Sequence, residues 1–168
     1  LIIVVLGIAG VSCYYYTGNT HAWVFPVINC ITWAFRIFIT GSVIRGILTA
    51  PKISTSHLVG AASAYILIGV TFAYGYVVLH SITGQDLLNK ELATSAMVKG
   101  ELPSQVADYG YFSFSTLTTL GFGDLTPLTL ASRVLASSEA ITGQLFLTVL
   151  IARLVSLHVT NSKQSSNN

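Results

Sequence analysis

The sequence predicts an all-α membrane protein with four transmembrane helices and one short re-entrant helix. Charged residues are 8% and hydrophobic residues 52% of the chain, against about 25% and 45–50% in ordinary soluble domains, so there is too little charge to cover an aqueous surface. The apolar residues gather into four long segments separated by polar links. A fifth stretch, residues 108–118, is too short to cross a hydrocarbon core of roughly 30 Å. It runs into glycine-containing sequence, which membrane depth tolerates only where irregular backbone is buried in protein or lines water.

In chain order, residues 1–50 form an N-terminal transmembrane hairpin. Its first arm, Leu1 to about Thr17, is short and ends in Tyr14-Tyr15-Tyr16, residues suited to an interfacial belt. The second arm runs from about Ala22 to Ala50. Pro51 then forces a turn into a linker, 51–57. A third apolar segment covers 58–81, a mixed-charge loop 83–107, the re-entrant helix 108–118, and the last apolar helix 130–159. The tail 161–168 is polar throughout, a composition that favours disorder. Cys13 and Cys30 both lie in apolar stretches and read as small hydrophobes, without metal or redox spacing.

Charge sets the orientation. The 45–57 link carries Arg45 and Lys52 and no acid, and the end of the last helix carries Arg153 and Lys163. The 83–109 loop mixes Asp86, Lys90, Glu91, Lys99, Glu101 and Asp108. The positive-inside rule therefore makes the linker and the C-terminus cytoplasmic and turns the re-entrant segment outward. Asp108 is expected near the start of the re-entrant helix, where an acid suits the positive dipole end.

The run Thr116-Leu117-Thr118-Thr119-Leu120-Gly121-Phe122-Gly123-Asp124 carries the chemistry. Gly121 and Gly123 permit backbone conformations that a Cβ would exclude, so successive carbonyls and one threonine hydroxyl can face a common axis. Such oxygens replace the hydration shell of a dehydrated cation. This run resembles the selectivity filter of the tetrameric potassium-channel pore family, whose usual form is Thr-Val-Gly-Tyr-Gly-Asp. Leu120 and Phe122 replace the valine and tyrosine. The family uses backbone carbonyls there, so the substitutions change only the packing behind the ion ligands.

The resemblance covers residue 58 to about 160 and implies a pore domain of outer helix 58–81, pore helix 108–118, filter 119–124 and inner helix 130–159. It implies potassium ions bound by Thr119, Leu120, Gly121, Phe122 and Gly123. Filter support would come from Tyr111, Phe112, Ser115, Asp124 and Glu139, with Phe114 completing an aromatic cuff. The family usually has a tryptophan pair where Tyr111 and Phe112 stand. Gly143 lies where the family commonly places a hinge glycine, although close helix packing also calls for glycine. Gln144, Leu147, Ile151 and Val155 follow at helical spacing and form a candidate pore face and gate.

Two charges inside apolar segments need partners. Glu139 could hydrogen-bond the back of the pore helix or meet Arg133 two turns earlier. Arg36 could pair locally or reach toward the cytoplasm. Arg36 and Arg45 fall on opposite helix faces, and a voltage sensor needs several arginines on one stripe.

One filter run per chain implies a homotetramer in a lipid bilayer, placed in the plasma membrane and passing potassium passively. A weakly selective cation pore, a transporter of related ancestry and a non-conducting assembly subunit are the alternatives. No cofactor is expected beyond potassium ions in the filter, and no small-molecule ligand. With a net charge of +2 and no basic cluster, no nucleic-acid partner is expected. There is no catalytic triad, zinc spacing or phosphate loop to suggest an enzyme.

Overall fold

A computed structural model describes residues 24–50, 55–89 and 102–166. The elements in order are α1 (Val24–Thr49), α2 (Thr55–Thr83), β1 (Leu88–Asn89), α3 (Leu102–Leu117), β2 (Thr126–Pro127) and α4 (Leu130–Ser166). Among the described residues three helices are long and apolar enough to cross a membrane, with candidate spans Pro26–Thr49, Leu58–Thr83 and Leu130–Ser156. The first expected helix, Cys13 and the tyrosine triplet lie outside the described residues, as does most of the charged loop from Lys90 to Glu101.

Several boundaries differ from the sequence reading. The expected linker 51–57 overlaps α2, which begins at Thr55, while α1 ends just before Ala50-Pro51, where proline disfavours helix in the preceding residue. α3 begins at Leu102 instead of 108. Pro103 stands in its first turn, where the missing N–H forfeits no helical bond. Asp108 consequently lies beyond the first turn, which contains no acid, and the dipole argument for it fails. α4 continues past 159 into the expected polar tail and reaches Ser166. No glycine or proline interrupts residues 144–166, so each added residue keeps its helical bond.

One feature is not helical. β1 and β2 pair antiparallel over two residues each, Leu88 with Pro127 and Asn89 with Thr126, and Leu128 N donates to Leu87 O at 2.8 Å. This clasp ties the segment after α2 to the segment after the Gly-Phe-Gly run. It covers a cluster of Tyr76, Leu87, Leu88, Tyr109, Phe112, Leu125 and Ala136.

α3 is wedged between α2 and α4. At its other end Leu117 is fully buried with Ala64, Ile68 and Phe146. Lipid is as apolar as leucine, so this contact holds the helix end by close packing and not by removing leucine from water. α1 lies along α2. Trp33 Nε1 donates to Thr71 O at 2.9 Å, the Thr40 and Thr71 hydroxyls meet at 2.9 Å, and the Arg36 guanidinium sits 3.6 Å from the centre of the Tyr74 ring. Arg36 is therefore buried in the α1–α2 seam, its charge held against an aromatic face. At the far end Arg153 of α4 donates to Ile47 O at 2.6 Å and to Ala50 O, carbonyls at the C-terminus of α1 that have no helical donor.

Candidate ion-conduction site

The Thr118–Gly123 strand starts where α3 stops. α3 presents its carbonyl end there, with Leu120 N donating to Ser115 O at 2.9 Å and Gly121 N to the same oxygen at 3.3 Å. Gly121 N also lies 3.2 Å from Ser115 Oγ, so one serine holds the strand through main chain and side chain together. The carbonyl terminus of a helix carries partial negative charge, which favours a nearby cation.

Within the strand, φ is positive at Thr119 (59°), Gly121 (55°) and Gly123 (80°), and at neither Leu120 nor Phe122. The sign of φ thus alternates residue by residue. Glycine takes such conformations without steric penalty, whereas Thr119 is a β-branched residue in the left-handed region, a placement that costs of order 1–3 kcal/mol and clusters at functional sites. Its hydroxyl donates to Thr118 O at 2.7 Å. The side chains of Leu120 and Phe122 are 56% and 67% exposed in the single chain, while Leu117 and Leu125 on either side of the strand are buried.

The residues expected to support this strand have separate partners. The Tyr111 hydroxyl hydrogen-bonds the Asp124 side chain just beyond Gly123. Phe112 is buried and meets Tyr76 edge-on, ring centres 5.3 Å apart. Phe114 lies against Gly69 of α2, where a Cβ would come within 2.7 Å of its ring. Glu139 is fully buried and takes the first of its two expected routes. Tyr76 Oη donates to its Oε2 at 3.0 Å, and Ser113 Oγ is in hydrogen-bond contact with Oε1 while donating to Gly69 O at 2.7 Å. Arg133 does not reach it, and its Nε donates to Pro127 O at 3.2 Å.

α4 runs unbroken through Gly143. A Cβ there would stand 2.7 Å from Leu117 Cδ1 and 3.0 Å from Leu117 O, so absence of a side chain lets α4 touch the end of α3. Leu147 packs on the cluster around Leu117, whereas Gln144, Ile151 and Val155 are exposed in the single chain.

Sequence reasoning missed several residues that hold the strand in place. Tyr65 Oη donates to Leu117 O at 2.9 Å. Thr129 and Ser132 bond reciprocally at the start of α4, Ser132 N to Thr129 Oγ1 and Thr129 N to Ser132 Oγ, each at 3.1 Å. The Thr-x-x-Ser spacing was a readable signal for that helix start. Tyr65, Tyr76 and Ser113 gave none, since nothing local marks a residue's partner on another helix.

The fold and site define an all-α membrane protein with three helices of membrane-span length, in which the shorter α3 and a strand of alternating φ sign lie between α2 and α4. The family profile described as ion channel matches residues 66–159, more than half of the chain. The chain belongs to this ion channel family of two-helix, potassium-channel-like pores. A search of curated proteins found no match.

Proposed function

We propose that the chain is a potassium-selective channel subunit, four copies of which surround an axial filter built from Thr119, Leu120, Gly121, Phe122 and Gly123. The observation that carries this reading is the alternating φ sign over Thr119–Gly123 on a strand anchored by Ser115 at the carbonyl end of α3. Alternating φ sign brings successive N–H groups to one side, as Leu120 and Gly121 N–H converge on Ser115 O, and leaves the carbonyls for the other. Carbonyls so aligned strip water from a cation and replace its hydration shell.

The exposure of this strand supports assembly. Irregular backbone at membrane depth must be covered by protein or line water. The strand is exposed along its length in one chain, so neighbouring copies complete its enclosure. Four identical strands on a four-fold axis give each ion a full ring of oxygens, and potassium passes down its gradient. The protein belongs in the plasma membrane, with the strand toward the outside and the C-terminus of α4 in the cytoplasm.

Reconstituted protein in a planar bilayer, under opposed potassium and sodium gradients, tests this. The reversal potential should follow the potassium gradient, and barium, close to potassium in size, should block. Equal permeability would replace the reading with a weakly selective cation pore. Absence of current from intact tetramers would replace it with an assembly subunit.

A further inference from the structure

Glu139 sits in a hydrogen-bond network that lies apart from the proposed ion ligands. Three short contacts join α2, α3 and α4: Ser113 Oγ with Gly69 O at 2.7 Å, Ser113 Oγ with Glu139 Oε1, and Tyr76 Oη with Glu139 Oε2 at 3.0 Å. Each contact needs one hydrogen. Gly69 O is a carbonyl and can only accept, so the single Ser113 hydrogen belongs to that contact. Tyr76 has one hydrogen, and Glu139 Oε2 is the acceptor that faces it. The remaining contact, between Ser113 Oγ and Glu139 Oε1, has no hydrogen of its own unless the carboxyl supplies it.

We propose that Glu139 is a proton-binding site: a neutral carboxylic acid whose Oε1–H donates to Ser113 and pins the pore helix between the two flanking spans. All three contacts are then satisfied, with every donor and acceptor used once. An ionised Glu139 would leave the single Ser113 hydrogen to be shared between Gly69 O and Oε1, a three-centre arrangement weaker than two separate hydrogen bonds.

The surroundings agree with a neutral acid. Glu139, Ser113 and Tyr76 are each 0% exposed, and burying an unpaired carboxylate is far costlier than burying the acid. No cation among the described residues contacts the carboxyl. On α4, Arg133 is engaged by Pro127 O. On α2, Tyr76 faces it directly. On α3, Tyr109 stacks on Tyr76 at 6.1 Å, with His80 of α2 tilted against Tyr109 and Asp86 and Asp108 acting on that same phenol.

Loss of the proton would weaken the hold of Ser113 on its two partners. Ser113 lies two positions before Ser115, which holds Gly121. Deprotonation at alkaline pH therefore loosens the helix that positions the strand. This is a way for protons to act on the pore from behind, with no titrating group among the proposed ion ligands.

Infrared spectroscopy of the reconstituted full chain reads the protonation state whether or not it conducts. At neutral pH the difference between wild type and Glu139→Gln should contain the carbonyl stretch of a protonated carboxylic acid, shifted by exchange into D2O. A carboxylate band in its place overturns the proposal. Should the variant fail to assemble, wild type carrying glutamate labelled at the side-chain carboxyl silences the aspartates and leaves Glu91 and Glu101 as the only other labelled carboxyls, and absence of any protonated-acid band then overturns the proposal. Glutamine supplies an N–H to Ser113 and an oxygen to Tyr76, so Glu139→Gln should carry current within about twofold of wild type. Glu139→Leu should reduce it more than about tenfold, the scale of stranding a buried polar group. A glutamine variant as impaired as leucine means that the charge is required, and refutes the neutral acid. In wild type the acid band and the current should disappear together as pH rises, and Glu139→Gln should lack that alkaline step. Current that persists after the band has gone refutes the role of the proton as a pin.

Discussion

Replacing Gly143 with alanine is the sharpest test of how α3 is held. The new Cβ would lie 2.7 Å from Leu117 Cδ1 and 3.0 Å from the Leu117 carbonyl oxygen, where comfortable carbon contacts begin at about 3.5 Å. Leu117 cannot simply swing aside, because it is fully buried among Ala64, Ile68 and Phe146. The carbonyl must also move by a few tenths of an ångström, and it accepts the Tyr65 hydroxyl at 2.9 Å. Overpacking of this kind costs about 1–3 kcal/mol. Weakening the tyrosine bond adds about 0.5–1.5 kcal/mol, giving roughly 1.5–4.5 kcal/mol per chain. Leu117 stands two residues before Thr119, so current should fall although no proposed ion ligand has changed.

A double-mutant cycle separates this steric reading from a hinge. Leu117→Ala removes the atom responsible for the 2.7 Å contact and by itself costs about 2–5 kcal/mol through the cavity it leaves. If Gly143 is required for space, the second methyl fills part of that cavity. The pair should then be less destabilising than the sum by about 0.5–3 kcal/mol in denaturant unfolding of the purified protein. If Gly143 is required only as a flexible joint, alanine there should alter opening but not the unfolding midpoint, and the two changes should add within about 0.5 kcal/mol. Additivity would refute the close-contact argument.

Three further outcomes are expected. Gly123→Ala introduces a Cβ at φ 80° with no neighbour within 4 Å in the single chain, so within one chain the cost is backbone strain, about 1–3 kcal/mol. Tetramers should assemble without conducting, and a fully conducting variant would sink the filter assignment. Arg153→Gln removes the donors to the end of α1, and amide exchange at residues 46–50 should quicken about 5–30-fold, the equivalent of one or two kcal/mol. Unchanged exchange there would mean that α1 is held by its seam with α2 alone. Val155 is 58% exposed in the single chain; Val155→Cys, with Cys13 and Cys30 first replaced, should react with a charged thiol reagent applied from the cytoplasm. Reaction at Leu154→Cys or Ser156→Cys instead would move the pore face around the helix, and no reaction at any of the three would remove the lower gate.

Three of the four expected spans were legible because apolar runs of membrane length have few other uses, and the strand because Gly121 and Gly123 mark positions where φ turns positive. Thr119 takes the same conformation without any such mark, since threonine ordinarily avoids it. The start of α3 was illegible for a different reason. Leu102-Pro103-Ser104-Gln105 has the composition of a loop, and the proline that argues against helix in mid-segment is compatible with a first turn. Glu139 was recognisable as a carboxyl needing a partner, but Tyr76 lies 63 residues away and Ser113 lies 26 away, each on a different helix.

That difference has a physical origin. Hydropathy measures the penalty for placing a polar group in an apolar span, and the penalty depends on the residue alone. Its remedy depends on where another element passes. Trp33 reaches Thr71 O, Tyr65 reaches Leu117 O, and Arg153 reaches Ile47 O. In each case the acceptor is a backbone carbonyl, which every residue possesses and which leaves no trace in composition. The polar residues of these helices are accordingly the fixed points of the assembly. Apolar side chains can slide past one another at little cost, whereas a buried donor must meet its one acceptor or forfeit about 1–3 kcal/mol. In this protein those fixed points converge on α3 from both sides, Tyr65 and Gly69 from α2 and Glu139 from α4, so the helix that supports the Thr119–Gly123 strand is registered by hydrogen bonds and only filled in by packing.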